Sequence, residues 1–419
     1  MARILWRKFT ILLLIFPLFV ITVLYHGGGE EVGSSRIPGS IDNSMTQPIP
    51  EILEESIDNE SKPPAETTQM VKKSIDNEST PPKKSINKSL DQWDCEEFFD
   101  DLNMEVPSLL VDLKVLKDME KGNCTIGKDQ TITIALNSKH AFNYTVINPQ
   151  LKIIFFHNDS STDYLEFHSA TRNVQIIPQN FANKLIGELV IPTDVWRFGE
   201  VWRRSHFIRC ANLTMNRDSD KVYAPAKASV ETLAKLRDEL VEFKMFPHLM
   251  CGTLIGWYRE CNVIPHTVDM DLGVMAHTFD PEYINYAKNK SSAFDMTRRM
   301  GAINESFELT LNPRDGIGRY TDLFLIYDTV INGTEVSTMG SMLADGTKYR
   351  FIYPRHNPYC AADLLGHIFW VSCNPDLILL TEVGDNWFIN VQNYGWLGKN
   401  GKEHGRWTKE QMVELEVKM

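Results

Sequence analysis

Residues 268–274, VDMDLGV, alternate with period two: Val268, Met270, Leu272 and Val274 against Asp269, Asp271 and Gly273. Period two belongs to an extended chain, whose successive side chains point to opposite faces. The pattern predicts a strand with four apolar residues on a core and both carboxylates together on the other face. Such a strand constrains the fold strongly, because Asp is depleted in strands and ionised carboxylates are rarely buried without a partner. Two carboxylates a few ångströms apart raise each other's proton affinity unless a cation lies between them. Oxygen ligands of this kind select Mg²⁺ or Mn²⁺, particularly one also bound to phosphate. The competing reading is a solvated strand face that carries Asp-x-Asp by chance.

The neighbouring sequence favours the metal reading. Residues 224–246 place Val230, Leu233, Leu236, Leu240 and Phe243 near helical spacing, with Pro225 in the first turn and Pro247 as the terminator. Gly252-Thr253 then reads as a turn offering a backbone N–H and a hydroxyl to a phosphate, and Arg259 as a fork for phosphate oxygens. A second strand-like run, GIGRYTDLFLIYD at 316–328, carries Asp322. Paired beside the first strand, it would add a third carboxylate. His266 and Tyr320 are weaker candidates, since a histidine after Pro265 is more often a turn residue. Trp257, Trp370, Trp387 and Trp396 read as core. The tail at 398–411 reads as a solvated loop, with Lys399, Lys402 and Arg406 against donor phosphate as the minority reading.

The beginning of the sequence speaks to compartment. Arg3, Arg7 and Lys8 precede an apolar run from Phe9 to Tyr25, with Glu30 and Glu31 behind it. As a helix that run spans roughly 26 Å, enough for a thin bilayer. The basic flank keeps to the cytoplasm and sends the rest of the chain into the lumen. A cleaved signal peptide is the rival, but the run is longer than most such segments and HGGGEEVG offers no A-x-A-like site. Ten N-x-S/T sequons, at Asn59, Asn77, Asn87, Asn123, Asn143, Asn158, Asn212, Asn289, Asn304 and Asn332, suit the same side. So do seven cysteines, read as a few disulfides and one thiol left over. The pairing stays open.

The chain divides into four parts. Residues 1–26 form the tail and transmembrane anchor. Residues 27–92 repeat SIDN at 40, 56 and 74 among prolines, serines and charges, too polar to offset the entropy of ordering, and read as a disordered stem. Residues 93–222 hold short β-rich runs (TITIAL, LKIIFFH, VQIIP, GELVIP) and read as a β-rich accessory domain without legible chemistry. Residues 223–419 carry the aspartates. A net charge of −12 argues against a nucleic-acid partner, which would require a basic face.

The order of helix, Gly-Thr, two strand aspartates and a later single aspartate resembles the nucleotidyltransferase fold, more specifically the LicD/fukutin family. Its members carry a pattern close to GTLLGxxR…IPxxxDxD, matched by CGTLIGWYRECNVIPHTVDMDLG, and YTDLFLIYD fits its later carboxylate strand. LLGHIFWVSCNPDLILLTEVGDNW at 364–387 resembles its closing strand and helix. The resemblance covers about 224–400. Two positions depart from it: Thr267 and Val268 stand where bacterial relatives have a longer acidic run, and Glu382-Val383-Gly384 stands where a tyrosine usually precedes the glycine.

The resemblance implies an α+β fold with a nucleotidyltransferase-like mixed sheet and flanking helices. It implies a lumenal, metal-dependent phosphotransferase that moves a phospho-alditol such as ribitol 5-phosphate from a CDP-linked donor to a glycan on a glycoprotein. Asp269, Asp271 and Asp322 would be catalytic and hold Mg²⁺ or Mn²⁺; Gly252, Thr253 and Arg259 would bind substrate. The setting would be a Golgi or endoplasmic reticulum membrane, single-pass type II, in a complex with other glycan-modifying enzymes. Two rivals stay open: a D-x-D metal-dependent glycosyltransferase, and an inactive glycan-binding or scaffold subunit.

Overall fold

The structure is a computed structural model that describes residues 92–102, 104–141, 148–168, 174–217, 220–391, 395 and 399–418. The expected transmembrane run at 9–25 and all but the last residue of the expected stem lie outside the described residues. Among the described residues, no helix is long and apolar enough to cross a membrane. Gln92, expected in the stem, pairs in a short strand, Gln92–Asp94, with Thr125–Gly127.

The first part is β-rich. Seven strands lie in the spatial order Val174–Pro178, Tyr164–His168, Leu151–Asn158, Ile132–Asn137, Ser108–Leu110, Leu189–Pro192, Asn183–Ile186. Two neighbouring pairs run parallel and the rest antiparallel. Three short helices pack with the sheet, and each begins where an aspartate side chain (Asp94, Asp112, Asp194) accepts from backbone N–H groups of its first turn.

The second part is built on an eleven-stranded sheet. Its strands are β1 (His248–Leu249), β2 (Asp269–Met275), β3 (Phe294–Met300), β4 (Glu308–Pro313), β5 (Tyr320–Ile331), β6 (Thr334–Met342), β7 (Thr347–Pro354), β8 (Tyr359–Leu364), β9 (His367–Ser372), β10 (Lys402–Arg406) and β11 (Glu416–Lys418). The main path runs β8-β9-β1-β2-β5-β4-β3-β11. The far half of β5 leaves β4 and pairs with β6, which continues to β7 and β10. Asn332 and Gly333 both take positive φ at the β5–β6 connection, the two-residue turn whose twist matches a hairpin. Helices α1 (Ala226–Glu242), α2 (Cys251–Glu260), α3 (Glu282–Lys288) and α4 (Pro375–Val383) flank the sheet.

Helix α1 ends five residues before Pro247: Lys244 takes a positive φ and Lys244 N–H bonds the Val241 carbonyl, so a local C-terminal turn stops the helix. The two sheets keep largely separate cores, yet all the described residues fall in one compact unit. Trp370 of β9 and Phe246 pack into the core of the first sheet. Asp163, just before the strand Tyr164–His168 of the first sheet, accepts from Arg237, His367 and the Ile368 backbone. The mixed sheet with flanking helices expected for the second part is observed.

Three disulfides, Cys95–Cys124, Cys210–Cys261 and Cys360–Cys373, leave Cys251 as the free thiol. The sequon asparagines among the described residues, Asn123, Asn158, Asn212, Asn289, Asn304 and Asn332, are all exposed.

Candidate active site

Strand β2 behaves as its pattern requires, with one addition. Met270, Leu272 and Val274 are fully buried, and Asp271 on the opposite face is only 8% exposed. That second face is covered because α2 lies across it. Parallel pairing of β2 with β5 sets Asp271 opposite Asp322 and Asp269 opposite Tyr320. The next strands extend the row, with Thr310 of β4 opposite Asp322 and Arg298 of β3 opposite Thr310. Paired residues on adjacent strands present their side chains to the same face, about 5 Å apart. Asp271, Asp322, Thr310 and Arg298 therefore form one ladder across four strands.

Hydrogen bonds fix this ladder. Thr310 Oγ1 donates to Asp322 Oδ1 at 2.5 Å, and Arg298 Nε donates to Thr310 Oγ1 at 3.0 Å. Arg298 Nη2 lies 2.6 Å from Glu308 Oε1 and 3.6 Å from Asp322 Oδ1. Tyr320 Oη stands 3.5 Å from Asp269 Oδ2.

Gly252 and Thr253 do not form a free turn. They sit in the first turn of α2, and Asp271 serves that helix terminus: Thr253 N–H donates to Asp271 Oδ2 at 3.2 Å, while Thr253 Oγ1 accepts from Asp271 N–H at 2.7 Å. A carboxylate at a helix N-terminus satisfies donors that have no partner within the helix. Thr253 is thus committed to Asp271 rather than offered to a phosphate. Gly252 adjoins the same carboxylate, and a Cβ there would lie 3.4 Å from Asp271 Oδ2, an ordinary contact distance.

Arg259 is not at the site. It is fully buried at the far end of α2, where it donates to Glu260 and to the Trp387 and Ile389 carbonyls. The expectation that it forks onto phosphate is corrected: its donors hold the segment just beyond α4. His266 lines the pocket with Nδ1 held 2.9 Å from Asp220. Trp257 and Trp370 are core residues, as expected. Trp396 lies outside the described residues.

The ladder opens into a pocket of about 580 Å³. Asp269, Asp271, Asp322, Glu308 and Glu382 supply its acidic lining against one guanidinium, Arg298. Burial raises the proton affinity of all three aspartates, and for Asp271 the charges of Asp269 and Asp322 add to it. Burial also pushes Glu308 and Glu382 up to about 7. Cys251, raised well above its ordinary range by burial, interacts with Glu382.

Among the described residues, no three His, Cys, Asp or Glu side chains are drawn together closely enough to hold a metal ion. The expected three-carboxylate cage is not formed as such, because Asp271 turns to the terminus of α2 and Asp322 to Thr310 and Arg298. The donor chemistry nevertheless fits a hard divalent cation: five carboxyl groups line one pocket against the single guanidinium of Arg298, and burial raises their proton affinity more than the nearby guanidinium charge lowers it.

Sequence reasoning missed Arg298, Glu308 and Thr310, although ELTLNP repeats the period-two alternation that exposed Asp269 and Asp271. It noted Glu382 and the odd cysteine without joining them.

Known proteins resemble both parts of the chain. A family model described as "LicD/FKTN/FKRP, nucleotidyltransferase domain" matches residues 245–371, and one described as "W02B3.4-like, N-terminal domain" matches residues 94–209. The chain is 42% identical to the Caenorhabditis elegans uncharacterized protein W02B3.4 over 324 residues, 76% of this chain and 83% of that protein. It is 36% identical to T07A5.1 of the same organism, over 75% of this chain and 85% of that protein. It is 26% identical to the human ribitol-5-phosphate transferase FKTN over 241 residues, 54% of this chain and half of that protein.

Proposed function

Because the chain belongs to the LicD/fukutin family, we propose that it is a transferase moving a phosphorylated alditol, such as ribitol 5-phosphate, from a CDP-linked donor to a glycan hydroxyl on a glycoprotein. The observation that carries this reading is the register of β2 against β5, which brings Asp269, Asp271 and Asp322 to one acidic pocket. The choice of ribitol 5-phosphate as the group moved rests on the name borne by the FKTN relatives, and the CDP-linked donor on the family resemblance.

Asp269 and Asp271, joined by Asp322, would hold Mg²⁺ or Mn²⁺. When bound, that ion supplies neutralising charge to a diphosphate. The chain's own residues divide the remaining work. Thr253 fixes the carboxylate of Asp271 from the helix terminus. Gly252 lies beside it. Asp322, raised in proton affinity by burial and oriented by Thr310, takes the proton of the acceptor hydroxyl. The acceptor oxygen bonds to the phosphorus that carries the alditol, the phosphoanhydride bond breaks, and CMP leaves with its electron pair. Arg298 offers positive charge at the edge of the ladder, where three-centre contact with Glu308 and Asp322 holds it.

We place this activity in the secretory pathway, on a type II membrane anchor, in company with other glycan-modifying enzymes. Three disulfides and six exposed sequon asparagines support the lumenal side. The test is incubation of the purified protein with CDP-ribitol and a glycoprotein acceptor. CMP release and mass gain on the acceptor are expected, together lost in Asp271→Asn. Release of UDP or GDP from nucleotide-sugars instead would make it a D-x-D glycosyltransferase. A second reading, a binding subunit that keeps the fold, draws on the commitment of Asp271 to α2. Its sign is full rescue of a null mutant by Asp271→Asn and Asp322→Asn.

A further inference from the structure

A second cavity, of about 870 Å³, lies away from the carboxylates, between the first sheet and α1. One wall is Gln179, Asn180 and Phe181, from the loop after Val174–Pro178, with Arg197 and Phe198 of the helix Val195–Arg203. The other wall is the polar side of α1, and the floor includes His367 and Trp370 of β9. It spans both family matches, and the transferase reading gives it no task.

The charges in its lining decide what it can take. Arg237 pairs with Asp163 at 3.0 Å and with Asp238 at 2.7 Å. Arg197 pairs with Glu242 at 2.5 Å, Lys235 with Asp315 at 3.5 Å, and His367 Nδ1 lies 2.9 Å from Asp163. Among the described residues, every cation lining the cavity has a carboxylate partner, and acidic side chains outnumber basic ones. A phosphate, a nucleotide or an anionic lipid would meet no cation in search of a partner. The lining also holds apolar side chains, among them Phe181, Phe198, Val241 and Trp370, so a ligand here meets polar groups and apolar surface together.

What faces outward is different in kind. Asn180 and Asn183 are exposed side-chain amides, able to donate and accept. Phe181 is half-buried with its ring 5.5 Å from Phe198, edge to face. Amides beside an aromatic face suit a ligand with hydroxyls on its rim and C–H groups on its flat side. We propose that this cleft is a second binding site, for a neutral saccharide chain, and that it holds the acceptor glycan while the reacting end reaches the carboxylate pocket. The acceptor role rests on the transferase reading; the saccharide site does not. Within the second sheet, Trp370 pairs with His248, and His248 with Gly273 of the aspartate strand. Two strand spacings, about 10 Å, separate the cleft floor from that strand.

The experiment compares the full chain with its Ala182→Trp, Asn180→Ala and Asp271→Asn variants on arrays of neutral and acidic glycans released from glycoproteins. A lysine-rich peptide serves as a cationic probe. Ala182 is exposed on the cleft rim, so tryptophan there obstructs entry. Neutral glycans are expected to bind the wild type and Asp271→Asn alike, at least tenfold more weakly Ala182→Trp, and several-fold more weakly Asn180→Ala, with the melting temperatures of the two cleft variants unchanged. If Ala182→Trp does not fold, the surface change at Asn180 decides. Binding of acidic glycans or of the peptide alone, no neutral-glycan binding, or a loss in Asp271→Asn with none in the cleft variants overturns the proposal. If CMP release fails with every acceptor while neutral-glycan binding follows the cleft variants, the transferase reading falls and the saccharide site stands.

Discussion

Glu382 gives the sharpest thermodynamic test of how the acidic pocket is built. It sits on α4, is almost fully buried, and its Oε2 has no hydrogen-bond partner. Burial raises its proton affinity from 4.5 to about 7, against a smaller opposing effect from its hydrogen bond with Cys251. A folded-state value above the unfolded one means that the native protein holds the proton longer. The associated stability is present at acid pH and is lost as pH rises from 4.5 through about 7. At 1.36 kcal/mol per pH unit, the ionised carboxyl costs about 3 kcal/mol at pH 8 and less than about 1 kcal/mol at pH 5. Glu382→Gln keeps the shape and removes the charge. For a folded unit of about 330 residues, an unfolding entropy near 0.7 kcal/mol/K converts 3 kcal/mol to about 4 °C. Differential scanning calorimetry of both proteins is expected to show Glu382→Gln melting up to about 4 °C higher at pH 8, and within about 1 °C of wild type at pH 5. An unchanged or lower melting temperature at pH 8, or an equal shift at both pH values, would refute the reasoning. Ionisation of Glu382 would then be compensated by a group that the geometry does not reveal.

Three further outcomes are expected. Thr253→Val deprives a buried Asp271 N–H of its acceptor and should cost about 1–3 kcal/mol in a urea titration, together with a fall in transfer rate; equal stability would show that the helix terminus does not hold Asp271. Paired Cys210→Ala and Cys261→Ala opens a link between residues 51 apart, worth about 4 kcal/mol by loop entropy, so melting should drop by several degrees relative to wild type under oxidising conditions. Gly256→Ala would set a Cβ 2.7 Å from the Asn262 carbonyl oxygen and 3.0 Å from Ile264 N. Because backbone is the obstacle, the loop must move, and a loss of about 1–3 kcal/mol by chemical denaturation is expected.

The sequence alone determined what local periodicity encodes. A period of two in VDMDLGV is enough to put Asp269 and Asp271 on one face of a strand, because successive side chains of an extended chain alternate whatever lies beyond them. The helix over most of 224–246 and the short β runs before it were legible for the same reason, and the free thiol came from an odd number of cysteines. Tertiary structure decided the rest. Asp322 meets Asp271 only because β5 pairs with β2 in that register, and a shift of one residue would turn it to the other face. Nothing local announces that Thr310 and Arg298 complete the ladder, that the Gly-Thr pair opens a helix served by Asp271, or that Arg259 spends its donors on the Trp387 and Ile389 carbonyls. Those are contacts between segments far apart in the chain, chosen by packing and by the need of each buried polar group for a partner.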